Sequence, residues 1–126
     1  MSTLGIGVDL VEIARIERAL EKSGERLARR ILCDSEYEDF ASSNRPAVFL
    51  AKSFAVKEAV SKALGTGIAQ GVRFHDISLT RLPSGQPQVK LDGAALKRLV
   101  EIGAQRMLVS ISDEAGLVIA YAQAVN

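Results

Sequence analysis

Residues 46–67, PAVFLAKSFAVKEAVSKALGTG, form the longest helical pattern in the chain. Pro46 is of a type favoured in the first turn of a helix, and Gly65 is of a type favoured directly after the last turn. The segment therefore predicts a helix from Pro46 to Leu64, followed by a glycine-rich loop.

Shorter helices and strands flank this segment in an irregular order. Apolar periodicity predicts helices over residues 12–22, after Gly24, over 34–41 and over 93–102, and strands over 5–11, 74–82, 88–91, 107–112 and 117–124. The irregular order favours an α+β fold over a doubly wound α/β fold. At 126 residues the chain is long enough for one core and too short for two, so we expect a single domain over residues 1–126.

The composition narrows the class of protein. Sixteen basic and fifteen acidic residues leave almost no net charge, which argues against whole-molecule attraction to nucleic acid or membranes. Cys33 is the only cysteine, so an intrachain disulfide is excluded, and a reducing compartment is indicated. No apolar run approaches the roughly 20 residues that a membrane span needs. We expect a soluble, cytoplasmic protein.

The first candidate for chemistry is Asp9 in the segment Gly7-Val8-Asp9. A carboxylate on the same strand face as Gly5 and Gly7 has room beside it for a hard cation that carries a bulky phosphate ligand. The alternative is that Asp9 is a turn former or a helix cap.

The second candidate is the pair Glu58 and Lys62, which share one face of the long helix. Ala51 and Ala55 continue that face with short side chains and predict a narrow shelf. On such a shelf Glu58 could join Asp9 as a magnesium ligand, and Lys62 could neutralise phosphate oxygens. The alternative is an exposed ion pair within the helix.

The third candidate is the loop Gly65-Thr66-Gly67, with Gly71 shortly after it. Its amides and the Thr66 hydroxyl could bind phosphate. The loop follows a helix C-terminus and not a strand, so it is not a P-loop, and a left-handed helix cap is the alternative.

The fourth candidate is a basic stripe, defined as five cations spaced three or four residues apart: Arg15, Arg18, Lys22, Arg26 and Arg29. Such spacing predicts a docking surface for an acidic partner. An ordinary solvated face is the alternative, particularly if Gly24 interrupts the helix.

Two segments carry a resemblance, GIGVDLVEI at residues 5–13 and FAVKEAVSKALGTG at residues 54–67. Their Gly-x-Asp and Lys-Glu-Ala-x-x-Lys patterns, in this order, resemble the bacterial holo-[acyl-carrier-protein] synthase family. The later segments GQP at 85–87 and VSIS at 109–112 resemble family positions near the coenzyme. The resemblance covers nearly the whole chain.

This resemblance implies a phosphopantetheinyl transferase-like fold, with an antiparallel sheet packed against a long central helix. It implies Mg²⁺-dependent transfer of the 4'-phosphopantetheine group from coenzyme A to a serine of apo acyl carrier protein, releasing 3',5'-ADP, in fatty-acid biosynthesis. It also implies a homotrimer with active sites between subunits.

The resemblance further implies residue roles. Asp9 and Glu58 would hold Mg²⁺. For the general base our own hypothesis is Glu58, acting directly or through a metal-bound water, with Lys57 as a lesser candidate. Arg15 would be the first residue of the basic stripe expected to contact an acidic carrier protein. The coenzyme would contact Lys62, Gly65, Thr66, Gly67, Gly85, Pro87 and Ser110.

Two positions depart from the family pattern. Ser53 stands where many relatives have an arginine, and Asp113 stands where many have a histidine. The only histidine, His75, falls in a predicted strand and is expected to be structural or exposed.

Two rival functions remain. One is a module that binds coenzyme A or a nucleotide between subunits without chemistry, which would not need the carboxylate pair of Asp9 and Glu58. The weaker rival is a nucleic-acid binder that uses the basic stripe, but aromatic residues are scarce and are not interleaved with it.

Overall fold

Five α-helices and five strands make up the computed structural model, which describes residues 1–126. The helices are α1 (Ile13–Ser23), α2 (Glu25–Ile31), α3 (Asp34–Ala41), α4 (Pro46–Ala63) and α5 (Gly93–Glu101). The strands are β1 (Thr3–Glu12), β2 (Ile77–Arg81), β3 (Pro87–Leu91), β4 (Arg106–Glu114) and β5 (Leu117–Val125). The predicted long helix is confirmed.

The strands form two antiparallel sheets. The larger has the order β1-β5-β4, and the smaller is the β2-β3 hairpin. In the larger sheet Ala122 of β5 lies opposite Gly7 of β1 on one side and Val109 of β4 on the other. An α+β fold with an antiparallel sheet packed on a long helix is confirmed.

Small residues bring α4 close to the larger sheet. Ala55 and Ala59 of α4 are buried completely, as are Ala122 and Ala124 of β5. Short side chains on both surfaces let the helix and the sheet approach closely, so the core is built around α4.

The other side of the larger sheet, which we call the outer face, exposes many apolar side chains. Burial alternates along β1 and β5, as expected for strands with one covered face. The large apolar residues of the outer face are Leu4, Ile6, Val8, Leu10, Leu108, Leu117, Ile119 and Tyr121.

The predicted strand over residues 74–82 is only partly correct. Phe74–Asp76 form a 3₁₀ turn, and β2 begins at Ile77. The buried Asp76 stabilises the turn, because its carboxylate accepts the Arg73 amide at 3.2 Å and its carbonyl accepts the Asp92 amide at 2.8 Å. His75 lies in this turn and not in a strand; it is exposed, with Nε2 at 2.7 Å from the carbonyl oxygen of Arg29.

None of the helices combines the length and the apolar character that crossing a membrane requires.

Candidate active site

A cleft of about 390 Å³ lies between β1, α1, α2 and α4, and it contains the first candidate residues. Asp9 of β1, Glu58 of α4 and Arg15 of α1 line this cleft together. The structure therefore brings Asp9 and Glu58, 49 positions apart in the sequence, into one site.

Asp9 is positioned by the two glycines that precede it on the same strand face. A Cβ atom on Gly7 would collide with the carbonyl oxygen of Ala59 and lie 2.8 Å from the amide nitrogen of Ala63. A Cβ atom on Gly5 would collide with the carbonyl oxygen of Ala63. The predicted room beside Asp9 is thus filled by the backbone of α4 and is not left for a ligand. Asp9 also lies within β1, so the alternative interpretation of this residue as a turn former or a helix cap is wrong.

Lys62 is bound to Asp9. Its Nζ atom donates to Asp9 Oδ1 at 3.2 Å and to the carbonyl oxygen of Val8 at 2.9 Å. No ion pair joins Lys62 to Glu58, so the alternative of a simple pair within the helix is also wrong. The predicted shelf is absent, because Ala51 and Ala55 are fully buried in the core.

Glu58 is held in an electrostatically unfavourable position. Partial burial raises the pKa of its carboxyl group, the negative charge of Asp9 raises that pKa further, and Lys62 opposes the shift. Its carboxylate has no hydrogen-bond or salt-bridge partner within the chain. A cation placed between Asp9 and Glu58 would relieve this repulsion.

The donor set fits a hard divalent cation that shares its coordination with a substrate. Three acidic residues line the cleft, Asp9, Glu12 and Glu58, and Glu12 pairs with Arg18 at 3.6 Å, so two carboxylates are left for a metal ion. Nowhere does the chain cluster three or more His, Cys, Asp or Glu side chains for a metal. Mg²⁺ is commonly bound by one or two carboxylates together with substrate phosphates and water. Asp9 and Glu58 would be the residues that hold it.

The glycine-rich loop is a left-handed cap on α4. Gly65 and Gly67 have φ values of 79° and 64°, and the amides of Thr66 and Gly67 both donate to the carbonyl oxygen of Ser61. The Thr66 hydroxyl lies 2.8 Å from the carbonyl oxygen of Gly67. The loop begins three residues after Lys62, so it lies at the end of α4 from which Lys62 reaches Asp9.

Arg98 of α5 supports this loop and was missed by the sequence analysis. Its Nε atom donates to the carbonyl oxygen of Leu64 at 2.9 Å, and it lies beside Gly65. A cation at a helix C-terminus offsets the negative end of the helix dipole. No local motif around Arg98 signals this contact, which joins residues 34 positions apart.

Lys57, the lesser candidate for the general base, does not lie in the predicted site. It is completely buried, and its Nζ atom donates to Glu36 Oε1 at 2.8 Å and to the carbonyl oxygens of Ile77 and Phe74 at 2.6 and 3.0 Å. Successive residues of a helix point about 100° apart, so Lys57 faces a different side of α4 from Glu58. Lys57 joins α4 to α3 and β2 and has no access to the cleft.

The remaining predicted contacts lie elsewhere on the chain. Gly85 lies in the exposed turn between β2 and β3, Pro87 begins β3, and Ser110 is exposed on the outer face. None of the three lines the cleft of Asp9 and Glu58.

The basic stripe is interrupted at Gly24, whose φ of 55° and ψ of −133° end α1 before α2 begins. All five of its cations are exposed. Arg18 pairs with Glu12 and Arg29 with Glu25, each at 3.6 Å, and Arg29 also lies over the ring of Tyr37. Arg15 is the member of the stripe that lines the cleft.

Comparison with known proteins places the chain in a family. The model of the 4'-phosphopantetheinyl transferase superfamily matches residues 5–122. The chain belongs to this superfamily. Over 111 residues, which make up 88% of each chain, it is 51% identical to the holo-[acyl-carrier-protein] synthase of Vibrio cholerae.

Solved structures of the same family share the fold. The holo-[acyl-carrier-protein] synthase of Neisseria meningitidis matches with a TM-score of 0.91 and 40% identity, covering 99% of this chain and 100% of that one. The Helicobacter pylori enzyme, solved in complex with coenzyme A, matches with a TM-score of 0.82 and 33% identity over 94% and 98% of the two chains. The fold predicted from the resemblance, a phosphopantetheinyl transferase-like α+β fold, is confirmed. The chain is an enzyme, a phosphopantetheinyl transferase.

Proposed function

We propose that this chain transfers the 4'-phosphopantetheine group of coenzyme A to a serine of an apo acyl carrier protein, with Mg²⁺. The observation that carries the proposal is the meeting of Asp9 and Glu58 at one cleft, with Lys62 bonded to Asp9, in a member of this superfamily. Two carboxylates and a mobile cation suit the binding of a metal ion and a pyrophosphate. The name of the Vibrio cholerae relative and the coenzyme A complex of the Helicobacter pylori relative support the choice of substrates.

Asp9 and Glu58 would hold the magnesium ion, whose charge would stabilise the phosphoryl oxygens in the transition state. Lys62 would pair with phosphate oxygens as a point charge on a flexible stem. The loop Gly65–Gly67, supported by Arg98, would lie beside the phosphates. The catalytic contribution of these groups is mainly electrostatic.

Glu58 is also our proposal for the base. The serine oxygen attacks the phosphorus that bears pantetheine, the bond from that phosphorus to the bridging oxygen breaks, and 3',5'-ADP leaves. The serine proton passes to Glu58. Glu58 lines the cleft and its carboxylate has no hydrogen-bond partner in the chain, so it is free to accept this proton.

We further propose that the chain is a single domain that assembles as a homotrimer with active sites between subunits. The apolar outer face supports this, since Ile6 and Leu10 are 60% and 61% exposed in the single chain. Ser110 lies on the same face, so a neighbouring subunit placed there would meet it. Contacts of Gly85, Pro87 and Ser110 with the coenzyme would then come from a different subunit than Asp9.

The basic stripe supports an acidic carrier protein as partner. Arg15 is exposed and lines the same cleft as Glu58, so a carrier protein held there would bring its serine close to the site. The proposed setting is fatty-acid biosynthesis in the cytoplasm.

Replacement of Glu58 tests the proposal. Glu58→Ala should abolish magnesium-dependent transfer to apo acyl carrier protein, measured by intact mass, while the circular dichroism spectrum stays unchanged. Glu38→Ala, at an exposed acid of α3, is the matched control and should retain transfer. Full turnover by Glu58→Ala would contradict the assigned role, and a wild-type chain that binds coenzyme A without transfer would favour the binding module.

A further inference from the structure

The cation that faces Asp9 in the structure is the ammonium group of Lys62. It lies 3.2 Å from Asp9 Oδ1 and 2.9 Å from the carbonyl oxygen of Val8. The Asp9 side chain is only 16% exposed, so Lys62 neutralises a carboxylate that is largely removed from water.

We propose that Lys62 is a stand-in cation: its ammonium group takes the place of a metal ion beside Asp9 and competes with the divalent metal ion for this carboxylate. The chain alone then binds the metal weakly. The anionic coenzyme draws Lys62 onto its phosphates and so opens Asp9 to the metal. The inference rests on the proposed function in taking Asp9 and Glu58 as the metal site.

The structure gives Lys62 the freedom that such an exchange needs. Its side chain is half exposed, and a lysine ammonium group sits on a four-carbon stem with many rotamers. A pyrophosphate offers several charged oxygens as alternative acceptors, so Lys62 can replace its bonds to Asp9 and to the Val8 carbonyl oxygen with bonds to phosphate. Asp9 is paired with a cation both before and after the exchange.

The arrangement also separates the two carboxylates. Of the two carboxylates Lys62 is bonded only to Asp9, although Glu58 lies one helical turn away on the same helix. Glu58 is therefore left without a partner and remains ready for a metal ion, while Asp9 is occupied. The competition thus acts through Asp9 and should disappear when Lys62 loses its charge.

The test is a titration of the full chain with Mn²⁺ alone, followed by electron paramagnetic resonance. Lys62→Met should bind Mn²⁺ about tenfold more tightly than the wild type, because a neutral side chain cannot compete. Lys62→Arg keeps the charge and should bind no more tightly than the wild type. Lys52→Met is the matched control: Lys52 pairs with Asp113 at 3.4 Å outside the cleft, and its loss should leave Mn²⁺ affinity unchanged.

The second arm adds 3',5'-ADP as a phosphate-bearing probe. It should raise the Mn²⁺ affinity of the wild type and raise that of Lys62→Met much less. An unchanged or weakened Mn²⁺ affinity in Lys62→Met, including no binding at all, overturns the inference.

Asp9→Asn separates this failure from failure of the proposed function. If Asp9→Asn lowers Mn²⁺ affinity while Lys62→Met fails to raise it, the metal site at Asp9 is supported and only the competition by Lys62 is rejected. If Lys62→Met gains affinity but the wild type transfers no phosphopantetheine, the proposed function falls and the inference about Lys62 stands.

Discussion

Replacing Gly7 with alanine should disturb the fold and the site together. The added Cβ atom would lie 2.8 Å from the amide nitrogen of Ala63 and 2.9 Å from Cβ of Lys62, and it would collide with the carbonyl oxygen of Ala59. Carbon contacts are normally about 3.5 to 4.0 Å, so β1 must move away from α4 by at least about 1 Å. Overpacking of this kind costs about 1 to 3 kcal/mol of folding free energy.

The same movement carries Asp9 away from Glu58 and Lys62. A misplacement of about 1 Å can lower a catalytic rate roughly 100-fold. We therefore expect Gly7→Ala to lower the Tm by roughly 4 to 12 °C and the rate of transfer by about two orders of magnitude. Differential scanning fluorimetry and a transfer assay at equal protein concentrations measure both effects.

Gly116→Ala is the control for the loss of a glycine without a collision. Gly116 has a φ of 79° in the turn between β4 and β5, and nothing lies within 4 Å of an added Cβ atom. Backbone strain alone should cost roughly 1 kcal/mol and leave the rate of transfer unchanged. Wild-type stability and rate in Gly7→Ala would refute the argument that close contact of β1 with α4 positions Asp9.

Three further changes probe separate features. Lys57→Met removes a fully buried cation and should lower the free energy of unfolding by about 3 to 5 kcal/mol in urea denaturation, whereas Lys52→Met should cost less than about 1 kcal/mol; equal losses would contradict the structural role of Lys57. Glu58 has a raised pKa in the folded chain, so its ionisation costs stability as pH rises from the unfolded pKa through the folded one. In the absence of metal, Glu58→Gln should therefore have a higher Tm than the wild type near neutral pH, and the difference in Tm should disappear in acid. A difference in Tm that grows in acid would contradict a raised pKa for Glu58. Arg98→Gln removes the bond to the carbonyl oxygen of Leu64 and should raise the KM for coenzyme A about fivefold with kcat unchanged, so a fall in kcat alone would reject its support of the loop.

The helices were predictable because their ends carry local signals. Pro46 and Gly65 bracket α4, and Gly24 marks the break between α1 and α2. The turn at Phe74–Asp76 was not predictable in the same way. Its apolar pattern matches that of a strand, and the turn depends on the buried Asp76, which bonds to Asp92 across the chain.

The candidate site was predictable as a set of residue types and not as a geometry. Asp9 and Glu58 were selected by motif, and the structure brings them to one cleft. Lys57 was retained as a lesser candidate because it neighbours Glu58 in sequence. Its burial against Glu36 is a tertiary contact between residues 21 positions apart, which no local pattern reveals.

The space beside Asp9 illustrates the same limit. Gly5 and Gly7 indicate a close approach, but the sequence does not say what approaches. The backbone of α4 occupies that space, and Lys62 reaches Asp9 from the same helix across 53 positions. Sequence spacing indicated Glu58 as a partner of Lys62, because spacing identifies only contacts between neighbours within the same helix.

The measurement that tests the central claim most directly is the intact mass of an apo acyl carrier protein after incubation with this chain, coenzyme A and Mg²⁺, beside a sample that contains a chelator. We expect the carrier protein to gain the mass of one phosphopantetheine group, and we expect the gain to be absent in the chelated sample. An unchanged carrier mass in the presence of Mg²⁺, with coenzyme A bound to the chain, would contradict the assignment of phosphopantetheine transfer.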